Sequence, residues 1–154
     1  MQKTILDGYS LIQSQAIQWG EMDSFQHVNN SVYFRYFENA RIAYFDLAGI
    51  NEYMAENQVG PILGSTECKF LVPLTYPDKI TIATRISAIR EKRFTMNYLV
   101  YSESHAREAA VGSGEIIFFD YQNKVTCPIP ERILENINQI EQSAQVKNQV
   151  QERF

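Results

Sequence analysis

The sequence predicts an α+β fold in which one antiparallel sheet wraps around a single long helix. Apolar residues recur at helical spacing from Ser31 to Ala48, and three segments of the second half alternate with a period of two. The order also matters: one strand, then helix, then strands at short intervals suits antiparallel pairing in one sheet.

Residues 8 to 19 mix β-formers with glutamines and read as a strand without clean alternation, followed by an irregular connection from Gly20 to Asn30. In the helix, Val32, Tyr33, Tyr36, Phe37, Ala40, Ala43, Tyr44 and Leu47 form the main stripe, and Gly49 is a fitting stop. Phe34, Ile42 and Phe45 lie off that stripe, which predicts burial by more than one layer. A short second helix is expected over 51 to 57.

In the sheet, "STECKFLV" places Thr66, Cys68, Phe70 and Val72 on one face. "KITIATRISAI" does so with Ile80, Ile82, Thr84, Ile86 and Ala88, and "RFTMNYLVY" with Phe94, Met96, Tyr98 and Val100. "YPDK", "REKR" and "SHARE" supply turns. "AAVGSGEIIFFD" adds a fourth strand, whose Gly112 and Gly114 point to a bulge or a close backbone approach. The expected organisation is one domain over 1 to 135 and a polar, helical or frayed tail over 136 to 154, fraying or docking on a partner. Exposed sheet edges favour pairing across a homodimer.

The chain has 154 residues, 45% of them hydrophobic, which suffices for one proper core. A formal net charge of −4 argues against a broad nucleic-acid surface. Cys68 and Cys127 lack the spacing of a zinc or redox motif and read as free thiols in a reducing compartment. "MQKTILDGYSLIQSQ" has no signal-peptide core, and nowhere do about 18 apolar residues run together as a membrane span requires. A cytoplasmic protein is the expectation.

There is no phosphate-binding glycine loop, G-x-S-x-G turn or H-E-x-x-H motif. Chemistry therefore points to the loop before the long helix, where Asp23, His27, Asn29 and Asn30 fall within eight residues. Unpaired N–H groups at a helix start hold a developing oxyanion, and a nearby carboxylate acts as general base or nucleophile. A thioester suits such modest equipment. Each residue also has an ordinary reading: Asn29 or Asn30 as helix cap, Asp23 as an Asx-turn, His27 as a surface histidine, and Tyr33 with its neighbours as core rather than acyl-binding wall.

Taken together, "WGEMDSFQHVNNSVYFRYFENAR" resembles the signature W-x-D-M-D-x-x-G-H-V-N-N-x-x-Y-x-x-Y-x-E-x-A-R of the hotdog-fold acyl-CoA thioesterases, the 4-hydroxybenzoyl-CoA thioesterase-like family. The likeness continues through "GPILGSTECKFLVPLTYPDKITIATRISAI" and covers about residues 10 to 120. It implies a hotdog fold of five or six antiparallel strands around a long central helix, with active sites where two subunits of a homodimer or homotetramer meet. It also implies hydrolysis of acyl-CoA to a carboxylic acid and free coenzyme A. No metal or redox cofactor is then needed, because coenzyme A enters with the substrate.

On the same likeness Asp23 is the nucleophile or general base, and the oxyanion donor is the N–H of Asn30 or its neighbour. His27 and Asn29 hold the loop, and Thr66 and Glu67 approach the acyl group from a partner's strands, Glu67 also reading as a solvated strand residue. Lys92 and Arg93, in the basic turn "REKR", either meet coenzyme A phosphates or form a solvated hairpin turn. Acyl-carrier protein is a further possible partner. Two other readings stay open, a hydratase or dehydratase using His27 and Asp23, and a non-catalytic acyl-thioester binding module. Glu21 stands where the family has Asp, and Gln26 where it often has Gly. If the turn needs a positive φ there, either Gln26 is strained or the loop takes another path.

Overall fold

The computed structural model describes residues 5 to 153, with side chains through Ala144. Residues 1 to 4, the start of the expected domain, and the side chains of the tail beyond 144 lie outside the described residues. Strand β1 spans Leu11–Ala16, helix α1 Asn30–Leu47, helix α2 Ile50–Asn57, β2 Val59–Phe70, β3 Lys79–Ser87, β4 Arg93–Ser102, β5 Arg107–Asp120, β6 Val125–Thr126 and α3 Glu131–Arg153. The strands form one antiparallel sheet in the order β1-β3-β4-β5-β2, with the two-residue β6 pairing with β5. This is the α+β hotdog arrangement that the sequence led us to expect, with α1 lying across the sheet.

Ile80, Ile82, Thr84 and Ile86 of β3, and Phe94, Met96, Tyr98 and Val100 of β4, all face α1 and are buried. Phe37 of α1 stacks on Tyr98 with ring centroids 4.6 Å apart. That close approach needs Gly112, which pairs with Tyr98 across the β4–β5 ladder. A methyl group there would enter the Phe37 ring and come within 2.6 Å of the Glu67 carbonyl oxygen. Of the two expectations for the β5 glycines, close approach is what Gly112 serves. The register shifts fall elsewhere, between Leu63 and Ser65 of β2 and between Val100 and Tyr101 of β4.

Several boundaries differ from expectation for physical reasons. β2 begins six residues before the anticipated Ser65, because Gly60, Pro61 and Gly64 interrupt the alternation that marks a strand. Pro61 is tolerated because β2 is an edge strand, where a missing N–H breaks no interior ladder. β3 ends at Ser87 because Ala88 turns to φ 49°. α1 is less enclosed than its composition suggested: Ile42 and Leu47 are exposed, so a second layer does not cover that side of the described chain.

The expected boundary at 135 falls inside α3. Ile133 and Ile137 are fully buried, and Glu141 Oε2 accepts hydrogen bonds from Ser10 Oγ (2.7 Å), Tyr44 Oη (2.5 Å) and the Ile86 N–H (3.3 Å). Asn136 Nδ2 donates to the Ala48 carbonyl at the end of α1, 2.9 Å away. Helix α3 therefore docks on its own domain as far as Ala144.

Asp78 ties the far side of the sheet. Its Oδ2 accepts from the buried Ser102 hydroxyl at 2.5 Å, and its Oδ1 from the Lys79 and Ser104 N–H groups at 2.7 and 3.0 Å. Burial alone would raise its pKa, but the hydrogen bonds from Ser102, Ser104 and Lys79 outweigh it and hold the carboxyl below its ordinary value. A depressed folded pKa stabilises the native state above the unfolded value of about 3.9 and is lost as pH falls through the folded one. The stability difference between the native protein and Asp78→Asn is thus expected to be largest near neutrality and to shrink below about pH 4, as measured by urea unfolding at several pH values.

Candidate active site

The loop between β1 and α1 is held by its backbone. A short 3-10 helix, Trp19–Glu21, leads into an isolated antiparallel bridge between Met22 and Val28. The Asp23 N–H donates to the His27 carbonyl at 2.9 Å, and the Gln26 N–H to the Asp23 carbonyl at 3.0 Å. Val28 anchors the turn from both sides: its side chain is buried, and its N–H donates to the Leu74 carbonyl at 2.8 Å.

Gln26 adopts φ 62°, so the loop takes the turn a glycine would allow, with Gln26 in the left-handed region. That conformation costs a non-glycine residue about 1–2 kcal/mol, while glycine's looser unfolded chain costs about 0.5–1 kcal/mol. Gln26→Gly is therefore expected to stabilise the protein slightly, by about 0.5 kcal/mol, whereas Gln26→Val should lower its midpoint in thermal unfolding.

Asn29 caps α1: its Oδ1 accepts from the Ser31 N–H at 2.9 Å and the Ser31 hydroxyl at 2.7 Å. The four N–H groups at the helix entrance can be counted one by one. The Asn29 N–H goes to the Glu21 carbonyl (3.0 Å), that of Ser31 to Asn29 Oδ1, and that of Val32 to the Asn29 carbonyl (2.9 Å). The Asn30 N–H has no partner among the described residues. It is the donor that this entrance leaves available.

Asp23 is half-buried. Its Oδ1 accepts from the Phe25 N–H at 2.9 Å, the Asx-turn expected of an aspartate here, and its Oδ2 has no partner among the described residues. Asp23 and Asn30 line one open cavity of about 420 Å³, together with Phe25, His27, Val28 and Tyr33. The opposite wall is Phe70, Leu71, Val72 and Pro73, the end of β2 and the segment after it. The Tyr33 ring meets the Phe70 ring edge-on at 4.9 Å. Burial raises the pKa of the Tyr33 phenol, partly offset by its hydrogen bond with the Leu74 backbone, so the phenol stays protonated at neutral pH.

The sequence thus names four residues that share this cavity: Asp23, His27, Asn30 and Tyr33. His27 is exposed and serves the turn through its carbonyl oxygen. Asn29 acts as the cap and does not line the cavity.

The remaining candidates lie elsewhere in the chain. Thr66 donates to the Ser113 carbonyl at 2.9 Å and lines a groove with Ser31, Arg35, Glu38 and Arg41. Glu67 accepts from Ser113 Oγ at 3.3 Å, in a cavity of about 550 Å³ with Tyr9, Arg85 and Asn97. The register puts Glu67 in line with Ser113, Asn97 and Arg85, on the face opposite α1. Lys92 and Arg93 are exposed at the start of β4, where their carbonyls accept from Phe118 and Arg90. The cavity wall from Phe70 to Pro73 was not among the expected site residues, because Phe70 and Val72 read as alternating positions of a strand.

Among the described residues no three His, Cys, Asp or Glu side chains are grouped to hold a metal ion, and no helix is long and apolar enough to cross a membrane. Burial pushes the Cys68 thiol up to about 11.

A family model described as the thioesterase-like superfamily matches residues 17–137. The chain is 30% identical to the YsmA protein of Bacillus subtilis over 92 residues, 59% of this chain and 60% of that relative's length. It is 27% identical to a putative esterase of Aquifex aeolicus over 125 residues, 80% of this chain and 94% of the relative. Among solved structures it resembles a thioesterase from Thermus thermophilus complexed with coenzyme A and zinc, with TM-score 0.77 and 24% identity, covering 88% of this chain and 96% of the other.

Proposed function

The chain belongs to the thioesterase-like superfamily, and on that premise we propose that it hydrolyses an acyl-CoA thioester to a carboxylic acid and free coenzyme A. The observation that carries this reading is the pairing, in one cavity, of the unengaged Asn30 N–H with the half-buried Asp23 carboxylate. The thioester carbonyl oxygen accepts a hydrogen bond from Asn30, aided by the positive end of the α1 dipole, as negative charge develops on it. Asp23 Oδ2 either takes a proton from the attacking water or attacks the carbonyl carbon to give an anhydride that water then opens. In both routes the C–S bond breaks and the sulfur leaves with the electron pair as a thiolate, which becomes the free thiol by taking the proton held on Asp23 in the first route or one from solvent in the second.

The acyl part lies against Tyr33 and Phe70. A thioesterase neighbour complexed with coenzyme A supports that carrier for the substrate. No metal or redox cofactor takes part. The twelve-residue edge strand β2 is the surface through which a second copy joins, as homodimer or homotetramer. Lys92 and Arg93 of that assembly meet the coenzyme A phosphates, and Thr66 and Glu67 are the candidates for the partner's acyl side. Because adjacent strand residues face opposite ways, only one of the two can serve that side.

The test is thiol-release kinetics over short, medium, long and aromatic acyl-CoAs. Release of one thiol per acyl group is expected. Hydration of an enoyl-CoA without thiol release would replace this reading with a hydratase, and tight binding with neither reaction would replace it with a binding module.

A further inference from the structure

We propose that Glu21 is a positioning residue that fixes the Asp23 carboxylate relative to the Asn30 N–H, acting through the buried hydroxyl of Tyr36. The inference rests on the thioesterase reading above and goes one layer behind it.

Glu21 is bonded at both its side chain and its backbone. Its Oε1 accepts from the Gln18 N–H at 2.7 Å and from the Tyr36 hydroxyl at 3.1 Å, and its carbonyl accepts from the Asn29 N–H at 3.0 Å. Tyr36 is fully buried on the face of α1 that meets the core, so its hydroxyl needs a partner, and Glu21 is the one it has among the described residues. Burial first, and the adjacent Glu21 carboxylate second, push the Tyr36 pKa far above its ordinary value, so this hydroxyl is a donor at any pH at which the protein works.

The connectivity gives Glu21 its reach over the site. Asp23 lies two residues after it along the chain, and Asn30 directly follows Asn29, whose N–H Glu21 holds. The carboxylate and the oxyanion donor are therefore both tied to one residue, which is in turn clamped to the second turn of α1. The length of the glutamate gives the clamp its reach, since an aspartate at this position is shorter by one methylene, about 1.5 Å. Small displacements between a base and an oxyanion donor are costly, because attack requires a near-attack geometry.

The experiment compares Glu21→Ala, Glu21→Gln and Tyr36→Phe with the native protein by thiol-release kinetics and by amide hydrogen exchange across residues 22 to 30. Glu21→Ala is expected to lower kcat about tenfold with KM within about twofold, the pattern of a lost transition-state alignment. Glu21→Gln keeps an oxygen that accepts both hydrogen bonds and should return kcat to within about twofold of native, with Tyr36→Phe in between. Exchange at the Asp23 and Asn29 amides should rise in Glu21→Ala and recover in Glu21→Gln. A folded Glu21→Ala with native kcat, a loss confined to KM, or equal impairment in Ala and Gln variants would overturn the proposal. If the native protein releases thiol from no acyl-CoA, the thioesterase reading falls instead, and unchanged amide protection in Glu21→Ala would separately overturn the positioning role.

Discussion

Asp23→Asn is expected to leave a folded protein whose kcat on its best acyl-CoA is lower by at least about a hundredfold, the scale associated with losing a general base. The substitution is well suited to the site. The Asx-turn bond from the Phe25 N–H to Oδ1 survives, because an amide oxygen accepts as a carboxylate oxygen does, so the turn and the bridge between Met22 and Val28 persist. What disappears is the negative charge and the proton-accepting oxygen that faces the cavity. Thiol-release rates paired with circular dichroism check both halves of the prediction. Native turnover by Asp23→Asn on every good substrate would remove Asp23 from the mechanism, whichever route, anhydride or activated water, were preferred.

The second large effect concerns the sheet beneath the central helix. Gly112→Ala is expected to lower the unfolding free energy by about 2–3 kcal/mol, near the upper end of what overpacking usually costs. The added methyl meets the Phe37 ring on one side and the Glu67 carbonyl oxygen, 2.6 Å away, on the other. Side chains rotate away readily, but here one obstacle is backbone and the ring is already stacked on Tyr98. Gly20→Ala is the internal control, since a methyl at that position meets nothing within 4 Å and should change stability by less than about 0.5 kcal/mol. Denaturant unfolding of both variants checks the difference, and equal stabilities would show that α1 and the sheet give way more easily than this packing implies.

How much of this was legible follows from where the information sits in the chain. Helix α1 was legible because its stripe, its cap and its stop are all local, although Ile42 and Leu47 turned out exposed. Strands β3 and β4 were legible because each presents four consecutive inward positions to one core. The first half of β2 was not, since its glycines and proline answer to distant demands: Gly60 leaves room for the Met54 side chain, and Pro61 depends on lying at a sheet edge. The same distinction divides the site. Asp23, His27, Asn30 and Tyr33 belong to one short string, so their convergence was readable. The wall from Phe70 to Pro73 comes from much later in the chain and is brought in by the bond between Val28 and Leu74, which no spacing encodes. Thr66 and Glu67 are a different case, because strand alternation already separates neighbours onto opposite faces.

The contact between Tyr44 and Glu141 spans 97 residues of sequence, and it bears on the order in which the molecule can be completed. During synthesis α1 and the strands emerge first and can begin to pair, but the buried hydroxyl of Tyr44 and the N–H of Ile86 wait for an acceptor that appears only when α3 has been made. Until then this corner of the core has donors and no carboxylate. Completing this corner of the core therefore requires the last described helix, and a growing chain that lacks residue 141 leaves these two donors without that acceptor.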